Sequence, residues 1–259
     1  MLYQSINCQK TGYVMVININ VLANEQLKLE QLSDELADLC DKITSDEEIR
    51  VIVITGVGEG FFSMAVNSIE PCSWANLEYR LETKCASLAE TIAKLDRPVI
   101  GAIKEDIVGQ GFELALACDI RIAADTSRFG LPQIKSGMMP RDGGTQRLSR
   151  VVGKSKALEM VLTGEMIDAQ EAYRIGLVNK VVPPDKLMTA AMDVAKEMAS
   201  KGPIALKYAK EAIYKGMDMT LEQGLRLEAD LYLLLHTTED RTEGIKAFQE
   251  RKSPKFKGE

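Results

Sequence analysis

Histidine is almost missing from this chain of 259 residues: there is one, His236. A Ser/His/Asp or Cys/His relay would have to run through it, and a zinc site would lack its usual ligands. No metal is therefore expected, and carboxylates become the candidate acid/base groups. Five cysteines (Cys8, Cys40, Cys72, Cys85, Cys118) stand without a CxxC pair, an odd count that fits reduced thiols better than a disulfide framework. Positive charge is in deficit, with 32 basic against 38 acidic residues, a net charge of −6 and a pI near 5.2. That balance is opposite to the footprint of a general nucleic-acid binder. No apolar run approaches the ~20 residues that cross a bilayer, and the opening residues lack a basic segment followed by an apolar one. The expectation is a soluble cytoplasmic protein that binds neither membrane nor nucleic acid. Internal repeats, low-complexity tracts and a Ser/Gly/Pro-rich linker are also absent.

What is present is globular usage, 46% hydrophobic and 27% charged. Tyr13 to Ile19 and Arg50 to Thr55 are β-branched runs that read as buried strands, and Pro98 to Ile103 reads as a third. Between the first two, Leu29, Leu32, Leu36, Leu39 and Ile43 recur at helical spacing. Leu81, Cys85, Leu88, Ile92 and Leu95 repeat the pattern in a second helix. This alternation points to an α/β architecture. From about residue 185 strand signals vanish, and Leu221, Leu225, Leu231 and Leu235 mark a helical C-terminal region.

Three glycine-punctuated segments are candidates for chemistry. Gly109-Gln110-Gly111-Phe112-Glu113 enters a helix directly after a strand, and unpaired N–H groups at such a start can hold a developing negative charge. Glu113 reads as an acid/base group or as a first-turn helix residue favoured by the dipole. Gly56 to Ile69, with Gly58 and Gly60, is either a loop whose backbone approaches a ligand or a plain strand-to-helix loop. In the third segment, Phe129 to Leu148, Met138 and Met139 suit a pocket wall or core filling, and Asp142 suits a site or a turn before two glycines. Neither a Walker A loop nor a full GxGxxG is present.

The order of GQGFELALACDIRIAA, FGLPQIKSGMMPRDGGTQRL, LTGEMIDAQEAYRIGLVNKVV and EGIKAFQERKSPKF resembles the crotonase, or enoyl-CoA hydratase/isomerase, superfamily over essentially the whole chain. The resemblance implies a spiral of ββα units over residues 1–195 and an all-helical trimerisation region over 196–259, assembled as a trimer or hexamer. It implies an acyl-CoA thioester substrate and no cofactor, coenzyme A being part of the substrate. Two backbone N–H groups, carried over to Val66 and Gln110, would form an oxyanion hole for an enolate-like intermediate. Met64, Ala65, Asn67, Ser68, Ile69, Gly109 and Gly111 would line the substrate site. Phe248 and Arg251 would meet the nucleotide, the alternative for Arg251 being a solvated basic tail.

Typical hydratases of the superfamily pair two glutamates around one water. Glu113 matches the first, but Gln133 occupies the second, and an amide cannot give or take a proton at neutral pH. Three explanations stand: Glu113 works alone with Gln133 orienting water or substrate; Asp142 supplies a replacement carboxyl; or the reaction is another of the superfamily's. The favoured expectation is an acyl-CoA lyase or hydratase using Glu113. The alternatives are a double-bond isomerase or decarboxylase and a non-catalytic acyl-CoA-binding relative. Asn20 to Asn24, Met64 to Asn67 and Lys104-Glu105 also depart from the usual pattern.

Overall fold

The computed structural model describes residues 3–20, 27–56 and 87–259. Two strands, β1 (Ile6–Thr11) and β2 (Val14–Ile19), form an antiparallel hairpin through Gly12 and are followed by helix α1 (Leu27–Ser45) and strand β3 (Val51–Gly56). After the short helix α2 (Leu88–Ala93) a unit recurs: β4 (Val99–Ile103), β5 (Ile107–Val108), α3 (Gly109–Ala117). It recurs again as β6 (Ile120–Ala124), β7 (Arg128–Gly130), a 3-10 turn at Pro132–Ser136 and α4 (Gly144–Val152). Helix α5 (Lys154–Thr163), β8 (Ile167–Asp168), α6 (Ala169–Arg174) and β9 (Lys180–Val182) complete the strand-bearing part. In both units the first strand joins a six-stranded sheet, order β1-β2-β3-β4-β6-β9, and the second joins a small sheet, β5-β7-β8. This two-sheet winding is the expected ββα spiral.

The strand runs read as continuously apolar because both faces of the large sheet are covered. Alternation divides them: Ile17, Ile19, Ile52 and Ile54 join one core with Leu32, Leu36, Leu39 and Ile43 of α1, whereas Val14, Val16, Val51 and Val53 face the other. That second face is closed by α7 (Leu187–Ala199) through Leu187, Ala190, Ala191, Ala195 and Ala199, whose small side chains let the helix sit close to the sheet. The second helix expected from periodicity is described from Leu88 onward, with Leu88 and Ile92 buried; Leu81 and Cys85 lie outside the described residues.

Beyond α7 come α8 (Pro203–Gly216), α9 (Leu221–Leu235) and α10 (Glu239–Glu250), with no strand, as expected. Each has a readable start: Pro203 opens α8, a capping box of Thr220 and Gln223 opens α9, and the Thr238 hydroxyl caps α10. Helix α8 is fastened to the strand-bearing part by Lys207 to Asp96 and Lys210 to Asp119, both 2.8 Å. The chain end folds back as a strap. Arg50, its guanidinium 3.8 Å from the centre of the Tyr13 ring, donates to the Phe256 carbonyl at 2.6 Å, and Asp240 accepts the N–H groups of Lys257 and Gly258. No described helix is long and apolar enough to cross a membrane.

Candidate active site

Strands β5 and β7 run parallel, with Val108 opposite Gly130. Parallel strands release their chains at the same end, so α3 and the 3-10 turn leave side by side. That places Glu113 and Gln133 on neighbouring segments at one sheet end, the usual location for a site in such folds. The rings of Phe112 and Phe129, 5.9 Å apart, pack α3 against β7. Gly109 opens α3 at φ +58°, a conformation that suits glycine, and Gln110 follows as the second helical residue. Its N–H is one of the four at a helix start with no intrahelical acceptor, as an oxyanion donor requires. The other expected donor, Val66, lies outside the described residues, as do Met64, Ala65, Asn67, Ser68 and Ile69.

Glu113 is not a first-turn residue. It stands in the second turn of α3, is 0% exposed, and faces the core end of the site rather than solvent. The reason is the early helix start at Gly109, which leaves Glu113 four positions further on. Its Oε1 accepts the N–H groups of Asp142 (2.7 Å) and Gly144 (2.8 Å), while Oε2 is buried with no hydrogen-bond partner among the described residues. Burial raises its pKa above the ordinary glutamate range; the two amides oppose this, and the nearby charge of Asp142 adds to it. A carboxyl so placed has one oxygen fixed and one available.

Gln133 is also buried, and its Oε1 has no partner among the described residues. Two buried oxygens at one sheet end thus have no partner among the described residues, and in native proteins such atoms call for an explanation. Asp142 reaches the same site through its backbone. Its carboxylate, however, is occupied: Oδ1 accepts the Ser87 hydroxyl and Oδ2 the N–H of Ala89 (3.1 Å), at the start of α2. Burial pushes the Asp142 carboxyl up as well, with these two donors pulling against it.

Several residues that matter here carried little signal in the sequence. Gly144 is needed for room: a Cβ there would stand 2.9 Å from Glu113 Oε1 and 2.8 Å from the Pro140 side chain. Only the paired glycines after Asp142 hinted at it. Arg121, buried, donates to the carbonyls of Leu177 (2.7 Å) and Ala115 (3.3 Å), so a cation steadies the C-terminal end of the helix that carries Glu113.

Phe248 and Arg251 are remote from this cluster in sequence. Phe248, 86% exposed, lies on α10, and Arg251 follows that helix at φ +53°. Phe248 lines a cavity of about 630 Å³ with Tyr232, His236, Arg241 and Phe256. His236, the C-cap residue of α9, lines the same cavity.

With this geometry in hand, the family model "Enoyl-CoA hydratase/isomerase" matches residues 10–259. The chain belongs to this family. Among curated relatives of this family member, 2,3-dehydroadipyl-CoA hydratase of Escherichia coli (strain K12) is 39% identical over 245 residues, covering 95% of each chain. Short-chain-enoyl-CoA hydratase of Clostridium acetobutylicum is 36% identical over 249 residues, 94% of each. The crystal structure of enoyl-CoA hydratase from Bacillus anthracis superposes with a TM-score of 0.90 at 37% identity, covering 99% of this chain and 100% of that one. The enoyl-CoA hydratase/isomerase fold and an enzyme of that general type follow, with an acyl-CoA thioester as substrate class.

Proposed function

We propose that this family member hydrates an unsaturated acyl-CoA thioester with Glu113 as its sole proton-transferring side chain. The reading rests on one observation above the others: two amides pin Glu113 Oε1, while the buried Oε2 has no hydrogen-bond partner among the described residues. In the proposed step, Oε2 takes a proton from water as the oxygen attacks the β-carbon. The π electrons move to the thioester oxygen, held by the N–H groups of Gln110 and Val66. The enolate then recovers the same proton from Oε2 at the α-carbon, so one water is added and Glu113 is restored. Gln133 donates and accepts hydrogen bonds that orient the water or substrate. Phe248 and Arg251 meet the nucleotide of coenzyme A. Replacing Glu113 by Gln should lower turnover by at least ~10²-fold while thioester binding persists.

The amide at position 133 favours one second reading, a double-bond isomerase or decarboxylase, since neither reaction needs a second carboxylate around a water. In heavy-oxygen water a hydratase labels its product at the β-carbon, whereas an isomerase or decarboxylase adds no label there. We further propose that α8 to α10 form the self-association surface. Leu221, Leu225, Tyr232, Leu233 and Leu234 on α9 are exposed, an apolar display that a water-facing helix does not need.

A further inference from the structure

Asp142 is held at three points. Its own N–H donates to Glu113 Oε1 at 2.7 Å, its carbonyl accepts Arg147 Nη1 at 2.9 Å, and its carboxylate is shared between the Ser87 hydroxyl and the N–H of Ala89. The Ser87 hydroxyl has no choice of direction: its oxygen already accepts the Glu90 N–H at 2.9 Å, so its proton goes to Asp142. Both carboxylate oxygens therefore accept from fixed donors, and a group so engaged is poorly placed to pass a proton to substrate. The paired glycines that follow serve the same arrangement: at φ +94° Gly143 leaves room for the Arg147 guanidinium, 2.0 Å from where a Cβ would stand.

We propose that Asp142 is a positioning residue for Glu113. Ser87 and the first turn of α2 grip its carboxylate, which keeps its peptide N–H on Glu113 Oε1 and turns Oε2 toward the reacting carbons. The inference rests on the hydratase reading of Glu113, and it assigns to Asp142 a task other than replacing the absent second glutamate. The charged groups acting on Glu113 are Asp142 and Arg141, and those on Asp142 include Arg147 and Arg141. A variant that spares all of these charges isolates the positioning effect.

Ser87→Gly is that variant: it removes the hydroxyl that grips Asp142 together with its bond from the Glu90 N–H, and glycine is nearly as good as serine at a helix N-cap, so the loss of the cap itself is small. It should lower kcat about ten- to a hundredfold with KM changed less than about twofold, since sub-ångström misplacement of a reacting group acts on the chemical step. Ser87→Thr, which keeps the hydroxyl, should restore most of the rate. The carboxyl infrared band lost in Glu113→Gln should titrate at higher pH in Ser87→Gly, because a weakened amide bond no longer favours the ionised form. An unchanged kcat with an unmoved band would overturn the proposal. So would an Asp142→Ala variant as inert as Glu113→Gln beside a fully active Ser87→Gly, because Asp142 would then be moving the proton itself. If Glu113→Gln retains full turnover, the hydratase reading fails, and the infrared titration still decides the positioning claim on its own.

Discussion

Two amide hydrogen bonds on a single carboxylate oxygen define how Glu113 can work. Oε1 is committed to Asp142 and Gly144, so a proton arriving at the side chain belongs on Oε2. Burial favours that protonated form, and the folded protein therefore holds Glu113 at a raised pKa. Because free Glu113 must be ionised to accept a proton from water, kcat/KM should fall on the acid side with a midpoint above the ordinary glutamate value. The stability consequence has the opposite sign. A raised carboxyl binds its proton more tightly in the folded chain, so ionising it costs stability as pH climbs from the unfolded to the folded pKa. Glu113→Gln should accordingly be inactive yet melt higher than the parent at neutral pH, by about 2–4 °C for each kcal/mol relieved, in a calorimetric scan. Gly144→Ala tests the same oxygen from outside: the added methyl would press on Glu113 and Pro140, and kcat should fall ~10²-fold with little change in KM. In the sequence Glu113 is legible through the family resemblance, since the strand, glycine turn and helix around it suit a plain helix residue equally well. The sequence could not reveal the Asp142 amide, because a backbone N–H leaves no mark in residue identity.

Elements were easiest to read where periodicity and burial coincide. Leu32, Leu36 and Leu39 of α1 and the valines and isoleucines of the two β-branched strands fall where expected because each packs into one of the two cores on either face of the large sheet. The start of α3 was harder. Helical hydrogen bonding begins at Gly109 itself, which moved Glu113 into the second turn and out of reach of the first-turn dipole argument. By charge the closing segment suits a basic tail or a nucleotide contact, but its backbone is engaged in ways charge cannot show. Lys257 and Gly258 give their N–H groups to buried Asp240, and Lys255 gives its own to Glu243. Asp240→Ala should orphan the first two donors and destabilise the chain by about 1–3 kcal/mol in urea unfolding, with Glu113 chemistry per folded molecule unaffected.

At the scale of the whole molecule, the near absence of histidine agrees with the proposed site of one carboxylate and backbone amides. The strand-bearing part supplies the Glu113 and Gln133 pair, and the three final helices supply the exposed apolar face and Phe248. Charged substitution on that face, Leu225→Glu with Leu233→Glu, should reduce the mass measured by light scattering toward the 28.6 kDa of one chain. The most direct test of the central claim is turnover of an enoyl-CoA in heavy-oxygen water by the parent and by Glu113→Gln. The account expects one heavy oxygen at the β-carbon of the product and a loss of at least ~10²-fold in the variant. An unlabelled product, or a variant as fast as the parent, would contradict it.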